Sequence, residues 1–294
     1  MGYKLLLLLE KILMALPASL RKGFFSGLAS LAYYLLPKYR RIVRANLDYA
    51  FDKTLSDEEI DKITRYSFKN LALNFLHLME LRHISKEDLA RKVTIENKEI
   101  VDAIHKEGRA VIYVTSHYCS WELGAAAVGA FIEPVAAVYK QLKQKEYETW
   151  LLSARARFGN TNLEKTHVIK PLIRFIKQQH ASGILIDTNI NEKEGTIVNF
   201  FSKPIRQTTT PAYLARKFNA AIVPITIFTD DEEHYTLKIY DEIVVEKTQD
   251  QEADIQKATQ LQADWLTEII SQEPKFWFWL HRRWKNDKPE IYAK

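Results

Sequence analysis

The 294 residues are 47% apolar, enough to bury a full α/β core, and include one cysteine, which excludes an internal disulfide framework and suits a reducing compartment. A formal net charge of +5 and a pI near 9.0 suit anionic lipid, phosphate groups or an acidic protein partner. The charge comes with no helix-turn-helix signature, aromatic RNA-binding pattern or zinc-finger spacing, so no nucleic-acid partner is expected. The eight scattered histidines show no metal-ligand spacing.

At the start of the chain, Leu5–Leu9 is apolar but is broken by Glu10-Lys11. Phe24–Leu36 is uncharged yet shorter than the roughly 20 residues of a spanning helix. Charges arrive after five leucines, so no cleavable secretory signal is expected. The pattern predicts interfacial helices whose apolar faces enter a bilayer while Lys11, Arg21, Lys22 and Lys38 meet lipid phosphates. A single strained span is one alternative, and leucines packed on the protein's own core are the other. The basic run Lys38, Arg40, Arg41 and Arg44 favours the membrane.

Residues 42–92 have helical periodicity, with Ser56-x-x-Glu59 and Ser85-x-x-Asp88 as capping-box starts. His77-Leu78-Met79-Glu80 lacks the second histidine of a zinc motif and reads as the polar edge of an apolar helix. From about residue 99 helices and strands alternate. Strands are expected at Ala110–Thr115, Pro134–Tyr139, His167–Ile169 and Ile184–Asp187, with helices near Trp121–Ala130, Glu146–Phe158 and Pro171–Gln179. Ile197–Phe201, Ala221–Phe228 and Tyr235–Tyr240 add strands, the last two as a hairpin around Asp230-Asp231-Glu232-Glu233. A long helix spans Asp250–Ser271. This alternation predicts an α/β fold, a mixed, largely parallel sheet flanked by helices, with a helical, membrane-associating region at 1–98 and an α/β core at 99–294 forming one continuous unit.

The most informative stretch is Val111-Ile112-Tyr113-Val114-Thr115-Ser116-His117-Tyr118-Cys119-Ser120-Trp121-Glu122, a buried strand running into a histidine, with Ser120 a plausible helix N-cap. On one helix His117 and Glu122 would stand about 140° apart, so they meet only if His117 lies in the loop. A carboxylate-held neutral imidazole is the usual general base for a hydroxyl. The residues equally allow a plain loop histidine and a first-turn carboxylate favoured by the helix dipole. Cys119 admits a third reading, a thiol nucleophile with His117 as its base. Asp187 closes a predicted strand, and carboxyl ends of strands collect active sites. Arg155 and Arg157 stand near a predicted helix end.

His117-x4-Glu122 resembles the H-x4-D/E motif of the lysophospholipid acyltransferase superfamily. Further stretches resemble the late acyltransferases of lipid A biosynthesis, the lauroyl and myristoyl transferases. They are Arg40-Arg41-Ile42-Val43-Arg44-Ala45-Asn46-Leu47, the run Gly195 to Pro224, and Phe276-Trp277-Phe278-Trp279-Leu280-His281-Arg282-Arg283-Trp284-Lys285. In the last, Lys275-Phe276 replace the family's Glu-Gln. Together these stretches cover nearly the whole chain in the family's order.

The resemblance implies an O-acyltransferase without cofactor or metal. His117 and Glu122 would be catalytic, and Arg155, Arg157, Asp187, Arg282 and Arg283 would bind substrate, the arginines through phosphate. It also implies acyl carrier protein as donor, a lipid A precursor as acceptor, and inner-membrane phospholipid as the surface, on the cytoplasmic face. An acyl-CoA-dependent phospholipid or glycolipid acyltransferase is the alternative, and a non-catalytic membrane-binding protein a further one.

Overall fold

In a computed structural model of the chain, which describes residues 2–166, 168–190 and 194–293, four helices come first: α1 (Gly2–Met14), α2 (Ala18–Leu35), α3 (Pro37–Ala50) and α4 (Asp57–Leu81). Pro37 opens α3 at its first turn, where the missing N–H costs nothing. Ser56 caps α4 reciprocally: its hydroxyl accepts from the Glu59 amide at 3.3 Å, and Glu59 accepts from the Ser56 amide at 2.8 Å. Ser85 caps α5 (Lys86–Lys92) through the Asp88 amide.

Strands and helices then alternate: β1 (Val93–Glu96), α6 (Lys98–Lys106), β2 (Val111–Thr115), α7 (Trp121–Phe131), β3 (Val135–Tyr139), α8 (Lys145–Arg155), β4 (Thr161–Glu164), α9 (Ile169–Lys177) and β5 (Ala181–Leu185). After them come β6 (Thr196–Phe200), β7 (Lys203–Gln207), α10 (Thr210–Phe218), β8 (Ala221–Phe228), β9 (Tyr235–Ile239) and α11 (Gln251–Gln272). Among the described residues one seven-stranded sheet has the order β1-β9-β8-β2-β5-β3-β4. Only β8 and β9 pair antiparallel in it, as the hairpin around the acidic turn; the remaining neighbours run parallel. Val111–Val114 is an unbroken apolar run because β2 is central and covered on both faces.

The expected elements that moved are edge or small-residue strands. His167 lies outside the described residues and Ile169 begins α9, so the expected strand at His167–Ile169 gives way to β4, an edge strand with no apolar run. β6 stands where a strand was expected at Ile197–Phe201, but its antiparallel partner β7 and the strand β1 carry equally polar patterns, and β1 falls inside the helical region 1–98. β5 begins earlier than Ile184 because Ala181, Ser182 and Gly183 are poor strand formers that only tertiary pairing recruits. Gly195 enters the β6–β7 pair with φ +77; a Cβ there would stand 2.0 Å from the Gln207 carbonyl oxygen.

One contiguous core runs from Leu13 to Trp284. At its carboxyl end Trp277, Trp279 and Trp284 are fully buried, with Trp277 edge-on to Trp279 at 4.6 Å and Trp284 stacked on Phe200 at 5.8 Å. The first two helices differ. Leu5, Leu8 and Ile12 of α1 and Leu20, Phe24, Leu28, Leu31 and Leu35 of α2 face outward, Leu35 with 66% of its surface exposed. Among the described residues no helix is long and apolar enough to cross a membrane. Arg21 and Lys22, expected to face lipid phosphates, are turned inward to protein carboxylates: Arg21 to Glu80 at 3.1 Å, Lys22 to Glu232 at 3.4 Å. Glu10 explains the break in the leucine run, since its buried carboxylate accepts from Arg82, His83 and Trp150 and so pins α1 to α4 and α8.

Candidate active site

The register of the sheet assembles the site. Thr115 of β2 pairs with Leu185 of β5, and the Ile186 amide extends the ladder to the Thr115 carbonyl at 2.9 Å. Two residues beyond each strand end stand His117 and Asp187, at the carboxyl edge where parallel sheets place their ligands. His117 Nδ1 lies 3.0 Å from Asp187 Oδ1, and the His117 amide donates to Oδ2 at 2.9 Å. Trp277 Nε1 donates to the same Oδ2 at 3.0 Å. Asp187 is thus buried with three N–H donors, and the bond at Nδ1 leaves the lone pair of His117 on Nε2.

These contacts shape both charges. Burial opposes the imidazolium, but the charge and hydrogen bond of Asp187, with the more distant charge of Glu122, outweigh it and hold His117 above its ordinary value. Burial would raise Asp187, and the histidine brings it down to about 2 instead. About 27% of the His117 side chain stays exposed, flanked by the rings of Trp121 at 5.2 Å and Phe278 at 5.9 Å.

The carboxylate that holds His117 is therefore Asp187, not Glu122. Glu122 lies in the first turn of α7, and both its oxygens are taken by Arg155, from Nε at 3.0 Å and Nη2 at 2.6 Å, with Trp121 Nε1 at 3.1 Å. Burial pulls the Arg155 guanidinium down, but Glu122 more than compensates. The H-x4-E spacing brings Glu122 beside the histidine without a hydrogen bond, because the helix starts at Trp121 and turns the carboxylate towards α8.

The other expected residues scatter. Arg157 is exposed and donates to the Ile84 carbonyl at 3.4 Å. Arg282 is half-buried with its guanidinium 5.5 Å over the Tyr292 ring. Arg283 is buried, only 2% exposed, and its Nη1 donates to the Arg206 carbonyl at 3.3 Å; burial brings it down to about 10. It braces the carboxyl edge from inside and presents no surface to a phosphate. His281 is pushed down to about 4, chiefly by burial, and its Nε2 meets the Asn189 amide at 3.0 Å. Cys119 is buried with its thiol pushed up to about 12, which removes the thiolate that a nucleophile would need. Ser120 sits at the N-cap of α7, but its hydroxyl bonds His77, which is buried and lies between Ser120 and Tyr235 rather than on a polar edge.

Three asparagines not singled out from the sequence as site residues hold this edge together. Asn74 donates to the Cys119 carbonyl at 2.7 Å and Asn70 to that of Phe276 at 3.3 Å, four residues apart on the buried stripe of α4. Asn46, inside the Arg40–Leu47 stretch, donates to the carbonyls of Trp279 at 2.7 Å and His281 at 2.8 Å. The His117 loop and the Trp-rich segment also pair through backbone: the Cys119 amide to Phe276 at 2.9 Å, the Phe278 amide to His117 at 3.0 Å. Cys119 takes φ +47 to allow this. Polar residues recurring at four-residue spacing on an apolar helix face were the available signal.

Beside the dyad, an apolar cavity of about 850 Å³, open mouth included, runs between α7 and the sheet. Trp121, Glu122 and Arg155 stand on its wall with Thr115, and Gly124, Val128 and Leu185 continue it. The indole of Trp121 thus forms cavity wall and touches His117 as well. Among the described residues no group of three or more His, Cys, Asp or Glu could hold a metal ion.

Fold and site define an α/β enzyme with a carboxylate-held histidine at the carboxyl edge of its sheet, over an apolar cavity. The chain belongs to the bacterial lipid A biosynthesis acyltransferases, whose family model matches residues 2–286, and as a member it is an O-acyltransferase. It is 24% identical over 271 residues to the lipid A biosynthesis lauroyltransferase of Escherichia coli K12, covering 90% of this chain and 84% of that one. It is 23% identical over 264 residues to the palmitoleoyltransferase of the same organism, covering 88% and 82%. Acyltransferase 2 of Shigella flexneri is 24% identical over 219 residues, covering 74% and 69%.

Proposed function

We propose that the protein transfers a fatty acyl chain from acyl carrier protein to a hydroxyl of a lipid A precursor, as a late, secondary acylation at the cytoplasmic face of the inner membrane. The observation that carries this reading is the His117–Asp187 dyad beside an apolar cavity, joined to it by Trp121, which lines the wall and packs on His117. His117 Nε2 takes the proton of the acceptor hydroxyl while Asp187 holds the ring and balances the imidazolium. The oxygen attacks the thioester carbonyl, the tetrahedral oxyanion collapses, the C–S bond breaks, and the imidazolium returns its proton to the leaving thiolate. The acyl chain lies in the cavity, each buried CH₂ contributing about 0.8 kcal/mol. Glu122 fixes Arg155 through Nε and Nη2, leaving Nη1 for a substrate oxygen. Arg157, exposed just beyond α8, and half-buried Arg282 stand away from the dyad, and are the cations this reading assigns to the acceptor phosphates.

The outward leucines of α1 and α2 support interfacial docking on phospholipid, since an apolar face of this length is costly in water and natural against acyl chains. The test is the mass of lipid A from cells with and without this gene. A loss of one acyl chain is expected, restored by the wild-type gene and not by His117→Ala. Unchanged lipid A with altered glycerophospholipids would overturn the acceptor.

A further inference from the structure

The cavity beside the dyad passes beneath α7 and has two unlike sides. Gly124 marks one: a Cβ there would meet Ile227 at 3.4 Å and Leu237 at 3.7 Å, so this side lies over β8 and β9. Ala125 marks the other, its carbonyl accepting from Asn160 Nδ2 at 2.8 Å just before β4. The register lines up Tyr113, Gly183, Ala137 and Asn162 in one row across β2, β5, β3 and β4, and all four line the cavity. The two smallest side chains stand in the middle of that row and leave the space that reaches Asn162.

Polar groups divide between the two sides. Over β8 and β9 the side chains of Ile225, Ile227 and Leu237 are apolar, and the hydroxyl of Thr226 is spent on that of Tyr240 at 3.0 Å. Towards β4, Asn160 is spent on the Val135 amide and the Ala125 carbonyl, and Tyr113 on Glu133 at 2.9 Å. Two groups keep unmet capacity there. Asn162 Oδ1 is buried with no partner among the described residues. Arg155, which closes the β3-to-β4 crossover helix α8 and so belongs to this side, gives Nε and Nη2 to Glu122, while its Nη1 bonds none of the described residues. A buried oxygen without a donor is costly, so a ligand that fills this side must bring a donor for Asn162 and an acceptor for Arg155.

A secondary amide brings both. An alkyl chain brings neither, and a phosphate brings acceptors alone. A thioester carbonyl held at His117 has two chains leaving it, one from carbon and one from sulfur, and the cavity has two sides to receive them. The acyl chain suits the apolar side. We propose that the β4 side is the subsite for the pantetheine arm of the donor, with an arm amide N–H donating to Asn162 Oδ1 and an arm carbonyl accepting from Arg155 Nη1. β4 lies three strands from β2, about 14 Å at roughly 4.8 Å per strand, so Asn162 meets the arm well away from the reacting carbonyl. Lys140, Lys143 and Lys145 lead from β3 into α8 on the same side, where the outer end of the arm emerges. This inference rests on the thioester donor proposed above. It gives Asn162 a role and makes the substrate oxygen of Arg155 an amide carbonyl.

The experiment measures binding to the full chain, by calorimetry and with no acceptor present, of S-hexyl pantetheine, a thioether that cannot react, against hexyl methyl sulfide, which has the same chain and no arm. Wild type should bind the armed ligand about 10²-fold more tightly, the effect of the two hydrogen bonds together. Asn162→Leu should remove about tenfold of that preference and leave the armless ligand unchanged. Asn is itself disfavoured in strands, so β4 should persist in that variant. Asn162→Asp keeps an acceptor at the position and should stay within about threefold of wild type. Thr161→Val, exposed on the same strand, should change nothing. Equal binding of the two ligands by wild type, or an equal loss of both in Asn162→Leu, would overturn the subsite. In transfer assays with CoA thioesters, a shift of acyl-length preference in Asn162→Leu would give the β4 side to the acyl chain, and a rise in acceptor KM with donor KM unmoved would give it to an acceptor amide; either would overturn the proposal. Unchanged lipid A in cells with the arm preference intact would overturn the acceptor alone, whereas loss of the expected acyl chain from lipid A with no arm preference would overturn the subsite alone.

Discussion

The carboxyl edge of the sheet and the first two helices spend opposite materials. At the edge, polar groups are buried and those that fix the geometry are answered: Asp187 receives three N–H donors, and Asn46, Asn70 and Asn74 cross-tie two loops that have little regular structure, while Asn74 Oδ1, Ser116 Oγ, Arg283 Nε and Trp284 Nε1 find no partner among the described residues. In α1 and α2, apolar groups are exposed, and one buried carboxylate, Glu10, tethers the outer helix. A buried polar group is costly unless bonded, and an exposed apolar row is costly unless covered. Each region breaks a rule of ordinary cores and surfaces, and the manner of breaking says what each is for: fixed geometry at the edge, contact with a nonaqueous phase at the helices.

The largest effect should come from the fixed edge. His117→Ala should lower acyl transfer about 10²–10⁴-fold with the fold retained. Asp187→Asn should fall in the same range, and the double variant should cost little more than either, because the two act as a unit. Glu122 does not belong to that unit, so pairing Glu122→Ala with His117→Ala is the control. Cys119→Ala should stay active. The pH profile sharpens the assignment. A base must be unprotonated, and Asp187 holds His117 above its ordinary 6.5, so the acidic limb of kcat/KM should lie above that value. In Asp187→Asn burial is opposed only by the more distant charge of Glu122, and the limb should move to lower pH; an unmoved limb would break the dyad.

How far this edge was legible in the sequence depends on the residue. His117 and Asp187 each follow an apolar run, and both positions were visible. That they pair was not, because it depends on β2 and β5 being neighbours in register, and β5 begins in Ala181-Ser182-Gly183, which carries no strand signal. The local spacing pointed His117 at Glu122 instead. Arg283 was expected, through the family resemblance, to bind a substrate phosphate, and its burial was not legible because a guanidinium enclosed among tryptophans leaves no periodic trace. The long helices, β2, β8 and the hairpin were visible because their patterns are strong, and the polar edge strands β1, β4 and β7 were not.

Glu122→Ala tests stability together with the hold on Arg155. It strands Arg155, most of whose guanidinium is buried, and loss of one partner of such a pair costs about 3–5 kcal/mol. A fall in thermal midpoint is expected, larger than for Arg157→Ala, which breaks one long hydrogen bond. Gly124 reads the cavity: a Cβ there meets Ile227 at 3.4 Å, so Gly124→Val narrows the channel. Preference among donor chains should shift towards shorter ones, by about fourfold per methylene excluded, and an unchanged chain profile would place the acyl group elsewhere.

At the helices, Leu28→Asp with Leu31→Asp should move the protein from the membrane fraction towards the soluble one, since two outward apolar side chains become charged while no core contact is lost. Retention of both activity and membrane binding would mean that these helices serve as ordinary surface.

The smallest expected effect concerns the donor. Lys140, Lys143 and Lys145 are exposed on the segment that leads into α8, the helix that ends at Arg155 and the cavity wall. An acidic carrier docking there gains attraction that is screened over about 8 Å at physiological ionic strength. Raising salt should then lower kcat/KM for the carrier-bound donor a few-fold and leave the CoA thioester of the same chain nearly unaffected, because exposed charge pairs act on association more than on the chemical step. Reversing Lys140 and Lys143 should act in the same direction. Arg283, buried, should show no such salt linkage, which separates a docking surface from the braced interior behind it. Equal salt sensitivity for the two donors, measured in parallel with one acceptor in detergent micelles, would move the preference to an acyl-CoA donor while leaving the dyad and its cavity in place.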